Sequence, residues 1–220
     1  PRLDKLASIA KSGEIIATRL TFVDIAGLVR GASKGEGLGN KFLSHIREVD
    51  AVAYVLRCFV DEDITHVENR IDPLADADVV ETELMLADLD SLEKRAGPIE
   101  KKAKTGDKDA KAQFAVIDKA LVLLREGKPA RLATVTPEDM PAFRALQLLT
   151  SKPIVYVCNV EEVSAASGNA YSKQVEDRAK AEGAAAVVIS AKSESEFAWL
   201  GAEDRDAFLA EMGLEEAGLN

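Results

Sequence analysis

Two apolar runs, AVAYVLRCF at residues 51–59, charged only at Arg57, and IVYVC at residues 154–158, restrict this chain more than any other feature. A strand with one face in water alternates apolar and polar side chains. A run that is apolar at every position needs cover on both faces, as parallel strands lying between helices have. The stretches between and around these runs carry helical spacing, so the reading is an α/β fold with a mostly parallel sheet. At 220 residues, 47% hydrophobic and 30% charged, the chain can bury a core and has room for one domain with an insertion. Cys58 and Cys158 each close one of the apolar runs and are read as reduced core residues. No run approaches the length of a membrane span, and no signal peptide is evident, so a cytoplasmic protein without a membrane partner is expected.

Residues 22–39, FVDIAGLVRGASKGEGLG, carry the first chemistry. A β-prone segment ends at Asp24, and Ile25 and Ala26 lead to Gly27, the spacing Asp-x-x-Gly. A carboxylate just past the carboxyl end of a parallel strand sits where α/β sheets bind ligands, and it can hold the water shell of a Mg²⁺ ion. Gly27 lets its backbone N–H approach a γ-phosphate, and Gly31, Gly35, Gly37 and Gly39 make a loop that a phosphate could order. The spacing by itself is weak, because many strand-to-loop junctions end in Asp and Gly.

The longer run DIAGLVRGASKGEGLGNKFL closely resembles the second switch of the Obg-like ATPases, the YchF family of P-loop NTPases. Further similarity follows in the family's order: RCFVDEDITHVE at residues 57–68, the lysine-rich KKAKTGDKDAKA, and Asn-Val-Glu-Glu at 159–162. The resemblance implies a three-layer, G-domain-like P-loop fold that hydrolyses ATP with Mg²⁺, uses GTP less well, and works at the ribosome, on the large subunit. It makes Asp24, Ile25, Ala26, Gly27 and Leu28 the second switch, with Asp24 reaching the metal through water. Leu28 stands where many GTPases carry a glutamine, and leucine can neither orient nor deprotonate water. The resemblance gives that task to His66, which by itself reads as a solvated loop residue; His45 falls in a helix and reads as structural. The chain nowhere contains Gly-x-x-x-x-Gly-Lys-Ser/Thr. The resemblance therefore implies that the first strand and the P-loop lie before Pro1 and a TGS domain after Asn220, so that these residues alone would be inactive.

Taken in order, residues 2–10 read as a helix, 14–19 and 20–24 as a hairpin of two strands, and 40–48 as a helix. Met85, Leu89, Leu92, Ala96, Ile99 and Ala103 form a heptad stripe that Ala110, Phe114, Ile117, Leu121 and Leu124 repeat. Two such helices joined at Thr105-Gly106 make an antiparallel, coiled-coil-like hairpin, with a bend expected at Gly97-Pro98. Residues 79–133 are accordingly read as an inserted helical hairpin, and 1–78 with 134–220 as a partial nucleotide-binding domain. At the hairpin tip Lys101, Lys102, Lys104, Lys108 and Lys111 stand against Asp107 and Asp109, an excess of three positive charges in a chain of net charge -10. Such a tip can touch RNA phosphate or remain a solvated helix end, whereas the overall charge excludes a nonspecific coat on DNA or RNA.

Thr136-Pro137 reads as the start of a helix running to Lys152. The strand at 154–158 then delivers Asn159, Val160 and Glu162 to the edge expected for Asp24. A guanine site uses Asn-Lys-x-Asp, whose aspartate accepts from the base N1–H and 2-amino group. Val160 here replaces the lysine and Glu162 the aspartate, which relaxes or reverses guanine preference, because adenine lacks both donors. Residues 171–182 read as a helix stopped by Gly183, 186–189 as a last strand, and Ser190-Ala191-Lys192 as a loop backing the base. Residues 203–212 read as a helix packed on the sheet edge. Two rival functions remain open from sequence: a GTP-preferring switch, and a non-catalytic ribosome or RNA interaction module acting through the hairpin.

Overall fold

The computed structural model describes residues 2–25, 38–61, 63–64 and 70–214. Three parallel strands, β1 (Val52–Arg57), β2 (Ile154–Asn159) and β3 (Ala185–Ile189), form one sheet in the order β1-β2-β3. Tyr54 is in register with Tyr156, and Asn159 with Ile189. Around them run α1 (Arg2–Ala10), α2 (Leu38–Glu48), α3 (Pro73–Lys104), α4 (Lys108–Arg125), α5 (Met140–Arg144), α6 (Ala170–Glu182), α7 (Ala191–Phe197) and α8 (Ala202–Glu211).

One sheet face carries the core. Tyr54, Leu56, Cys58, Tyr156 and Cys158 all point to it, and Leu43 and Ile46 of α2, Ala77, Leu84 and Ala87 of α3, and Val175 and Ala179 of α6 close over it. Both cysteines are free thiols buried in this cluster. The alternate positions fare differently: Val55 is 68% and Val187 45% exposed. The described residues thus cover one face of strands whose composition suits burial on both. On the buried face the two tyrosines meet edge to face, with ring centroids 5.7 Å apart. Each hydroxyl donates to a helix carboxylate, Tyr54 to Glu81 of α3 and Tyr156 to Glu182 of α6, both at 2.8 Å. Burial, reinforced by those carboxylates, pushes both phenols well above their ordinary range. Arg131 pairs with Glu81 at 2.8 Å, and Arg178 bridges Glu182 and Asp78, so α3 and α6 are held to the sheet and to each other.

α3 and α4 form an antiparallel pair, and the apolar stripes read from sequence meet: Leu92, Ala96, Ile117, Leu121 and Leu124 share a buried cluster flanked by Met85, Leu89, Ile99 and Phe114. Asp107 caps α4, accepting from Ala110 N–H at 3.0 Å, as its place after the turn predicts. Gly106 has φ of 99°, a value that L side chains adopt only with strain, so the turn between the arms depends on it. α3 begins at Pro73, earlier than the expected boundary at 79, because Asp72 accepts from Ala75 N–H and Pro73 pre-sets the first turn. It runs on as helix through Pro98. The hairpin is fastened at its base by Asp88, which is 1% exposed. Its carboxylate accepts from Leu149 N–H, Thr150 N–H and the Thr150 hydroxyl at 2.7–2.8 Å, and Thr150 Oγ1 in turn accepts from Ala130 N–H.

Three expectations are corrected. Residues 14–24 form no strand; they are extended and exposed, with Ile16 and Phe22 each 77% accessible. β-branched composition favours a strand only where another backbone satisfies its ladder, and no described strand lies alongside. The helix expected over 136–152 is only the five residues of α5. Thr136 caps a preceding turn through its bond from Asp139 N–H, and Gln147 takes φ of 53°, which ends regular helix before Leu149–Ser151 turns as a 3-10 segment. α8 packs on α7 rather than on the sheet, with Phe197 against Phe208 at 5.4 Å and Leu209 buried beside them.

Candidate nucleotide-binding edge

The carboxyl ends of β2 and β3 bring together the residues on which the sequence reading rests. β2 ends at Asn159 and β3 at Ile189, one in register with the other, and Val160 N–H donates to Ile189 O at 2.8 Å. Ser190 follows as the N-cap of α7, its side chain accepting from Ser193 N–H. This directs Ala191 N–H back across the edge, where it donates to Asn159 Oδ1 at 2.9 Å. The bond fixes the Asn159 amide with its oxygen occupied and its NH₂ group available as a donor.

Val160 is buried in the sheet core at 3% exposure, so its side chain packs inward. Glu161 is held beneath the loop: it accepts from Ser164 Oγ at 2.6 Å and from Asn169 Nδ2 at 3.0 Å, and these bonds, the serine's foremost, keep its carboxyl below the usual range. Glu162 has a different partner: its Oε2 lies 2.7 Å from Lys192 Nζ of α7.

Asn169 ties this loop to β1. Its Nδ2 also donates to Cys58 O, while its Oδ1 caps α6 by accepting from Tyr171 and Ser172 N–H. The capping box it makes with Ser172 was legible as Asn-x-x-Ser. The chain enters that cap through Gly168, φ 71°, where a Cβ would stand 2.5 Å from Ser172 Oγ. Asn169 was not singled out from sequence, and Lys192 was read only as part of the Ser-Ala-Lys loop, without its partner Glu162. The third residue of Ser-Ala-Lys, facing a carboxylate two residues past Asn-Val, was the available signal for Lys192.

The structure therefore brings together Asn159, Val160, Glu162, Ser190 and Ala191. Asp24 is exposed, and the adjacent Ile25 packs against the main core cluster. Ala26, Gly27, Leu28 and His66 lie outside the described residues. The five tip lysines are exposed, except that Lys104 is also engaged by Glu100 at 2.6 Å. Among the described residues no group of three or more His, Cys, Asp or Glu is placed to hold a metal, and no helix is long and apolar enough to cross a membrane. A cleft of about 330 Å³, lined by Asp78, Glu81, Arg131, Arg178 and Glu182 among others, lies toward the far end of α6 from Asn169. Its charged groups are already paired with one another.

A parallel sheet that gathers an Asn-x-x-Glu loop and a Ser-Ala-Lys loop at its carboxyl edge fits the G-domain-like P-loop fold. A family model described as 50S ribosome-binding GTPase matches residues 8–85. The chain is similar over its whole length to the ribosome-binding ATPase YchF of Escherichia coli O157:H7, 48% identical, and to that of Bacillus subtilis strain 168, 46% identical. It spans 60% of the length of each of these relatives. The solved structure of the Schizosaccharomyces pombe YchF GTPase superposes with a TM-score of 0.80 at 31% identity, covering 98% of this chain and 59% of that one. Over its whole length, in sequence and in fold, the chain is similar to YchF proteins.

Proposed function

We propose that this chain forms the base-reading edge, second switch and helical hairpin of a ribosome-associated NTPase that binds and hydrolyses ATP in preference to GTP. The observation that carries the reading is the bond from Ala191 N–H to Asn159 Oδ1. It joins the two loops and leaves the Asn159 NH₂ to donate to a purine N7, with Ser190 and Ala191 backing the ring. Since N7 is common to both purines, discrimination falls to Glu162, which is not placed as a free acceptor for guanine. The names of the relatives, ribosome-binding ATPase, support the same substrate and partner.

The switch supplies the reacting end. Asp24 is an exposed carboxylate, and one carboxylate with waters and phosphate oxygens is how Mg²⁺ is commonly held, so its chemistry fits the ion's outer shell. The ion would neutralise charge on the phosphates. Gly27 would give a backbone N–H to the γ-phosphate, and His66 would orient the attacking water that Leu28 cannot. We divide the chain into a nucleotide-binding part, 1–78 with 134–220, and an inserted hairpin, 79–133.

The triphosphate itself needs a Gly-rich loop with its lysine, which these residues do not contain. A chain carrying such a loop ahead of residue 1 is expected to bind ATP at micromolar concentration in calorimetry, and residues 1–220 alone at least about 100-fold more weakly. Equal affinity of the two would overturn this assignment of phosphate and base to separate segments. GTP outcompeting ATP in the longer chain would favour the GTP-preferring reading instead.

The hairpin tip is the surface we propose for ribosomal RNA on the large subunit. Replacing Lys101, Lys102, Lys108 and Lys111 by glutamine should weaken ribosome binding and lower the slope of log affinity against log salt by about three units, with ATP hydrolysis unchanged. An unchanged salt slope in a sedimentation assay would remove the tip from the interface.

A further inference from the structure

We propose that Lys192 is a specificity-determining residue that acts by holding the Glu162 carboxylate away from the base, and so sets the preference for adenine over guanine. The proposal rests on the reading of this edge as the base site. Glu162 stands in the 3-10 turn directly after β2, and Lys192 in the first turn of α7 directly after β3. These are the two loops that the Ala191–Asn159 bond clamps together, so the 2.7 Å ion pair spans the site from one wall to the other. Both groups are open to solvent, with side chains 71% and 37% exposed. A pair of that kind contributes little to stability, and removing it should leave the fold intact. Its consequence is positional.

A carboxylate left free at this place is the acceptor that guanine satisfies with N1–H and its 2-amino group. Adenine offers an acceptor at N1, which an unpaired carboxylate would repel. With Lys192 engaged, the negative charge is both neutralised and turned aside, which removes the reward for guanine and the penalty for adenine together. The neighbouring carboxylate cannot substitute, because Glu161 is already held by Ser164 and Asn169. Glu196, one turn along α7, is the second acidic group acting on Lys192 and lies on the same helix as the lysine.

The test is competition between ATP and GTP in the protein carrying its P-loop, for four forms: unsubstituted, Lys192→Ala, Lys192→Arg, and Lys192→Ala combined with Glu162→Ala. Lys192→Ala should shift the ratio of ATP to GTP affinity toward GTP by about three- to fivefold, the scale of the exposed ion pair that it removes. Lys192→Arg should keep the original ratio, and the double variant should abolish the shift. A loss of affinity equal for both nucleotides would mean a merely structural lysine, and an unchanged ratio, or a shift that persists without Glu162, would overturn the proposal. Failure of the unsubstituted protein to bind either nucleotide would overturn the reading of the site, and the proposal with it.

Discussion

Asp88→Ala is expected to lower the unfolding free energy by about 3 kcal/mol, because it leaves two buried backbone donors without partners. The carboxylate lies under the base of the hairpin and accepts from Leu149 N–H, Thr150 N–H and Thr150 Oγ1. Burial pushes its carboxyl upward against the pull of these three bonds. Alanine can replace none of them, and Leu149 and Thr150, each 1% exposed, are shielded from solvent that could do so. The loss would pass on to Ala130, whose N–H depends on the orientation of Thr150 Oγ1. Asp88→Asn should also destabilise, since its NH₂ would face a backbone donor. Urea unfolding followed by circular dichroism measures both. A change under about 0.5 kcal/mol for the alanine variant would show that this anchor is dispensable.

His66→Ala should lower kcat for ATP by about 100-fold while leaving ATP affinity within about twofold, since a residue that positions water acts mainly in the transition state. The resemblance of residues 57–68 to the Obg-like ATPases gives His66 this role, and Leu28, which follows the Asp-x-x-Gly spacing, has no polar atom to give. Single-turnover kinetics beside equilibrium binding separates the two quantities. Equal turnover in both forms would return His66 to the solvated loop residue its local sequence suggests.

Much of this architecture could be read from residues alone, for identifiable reasons. The run 154–158 has the length and composition of a buried strand, and Gly183, at φ of 68°, stops α6 where a left-handed cap requires glycine. The hairpin was legible because its stripes repeat over enough turns for the period to be unambiguous. Residues 14–24 were misread because Ile15, Ile16, Leu20, Phe22 and Val23 state a preference that only a neighbouring strand can realise. The helix expected from Thr136 was overrated because Pro141 and the turn at Gln147 compete with propagation over a short span. At the candidate site, Asn159, Glu162 and Ala191 could be named because each stands at or just past the carboxyl end of a strand. The pairing of Lys192 with Glu162 was not foreseen because an ion pair between two loops is set by strand register, which no local pattern encodes.

The central claim, that the carboxyl edge of β2 and β3 holds the base, is tested most directly by two-dimensional amide NMR of the P-loop-bearing protein titrated with Mg²⁺ and ATP. Backbone amides of Val160, Ala191 and Lys192 should shift saturably, and an Asn159→Ala variant should weaken the response. Shifts confined to the cleft around Arg131 and Arg178, with the Asn159 and Ala191 region unmoved, would contradict the account.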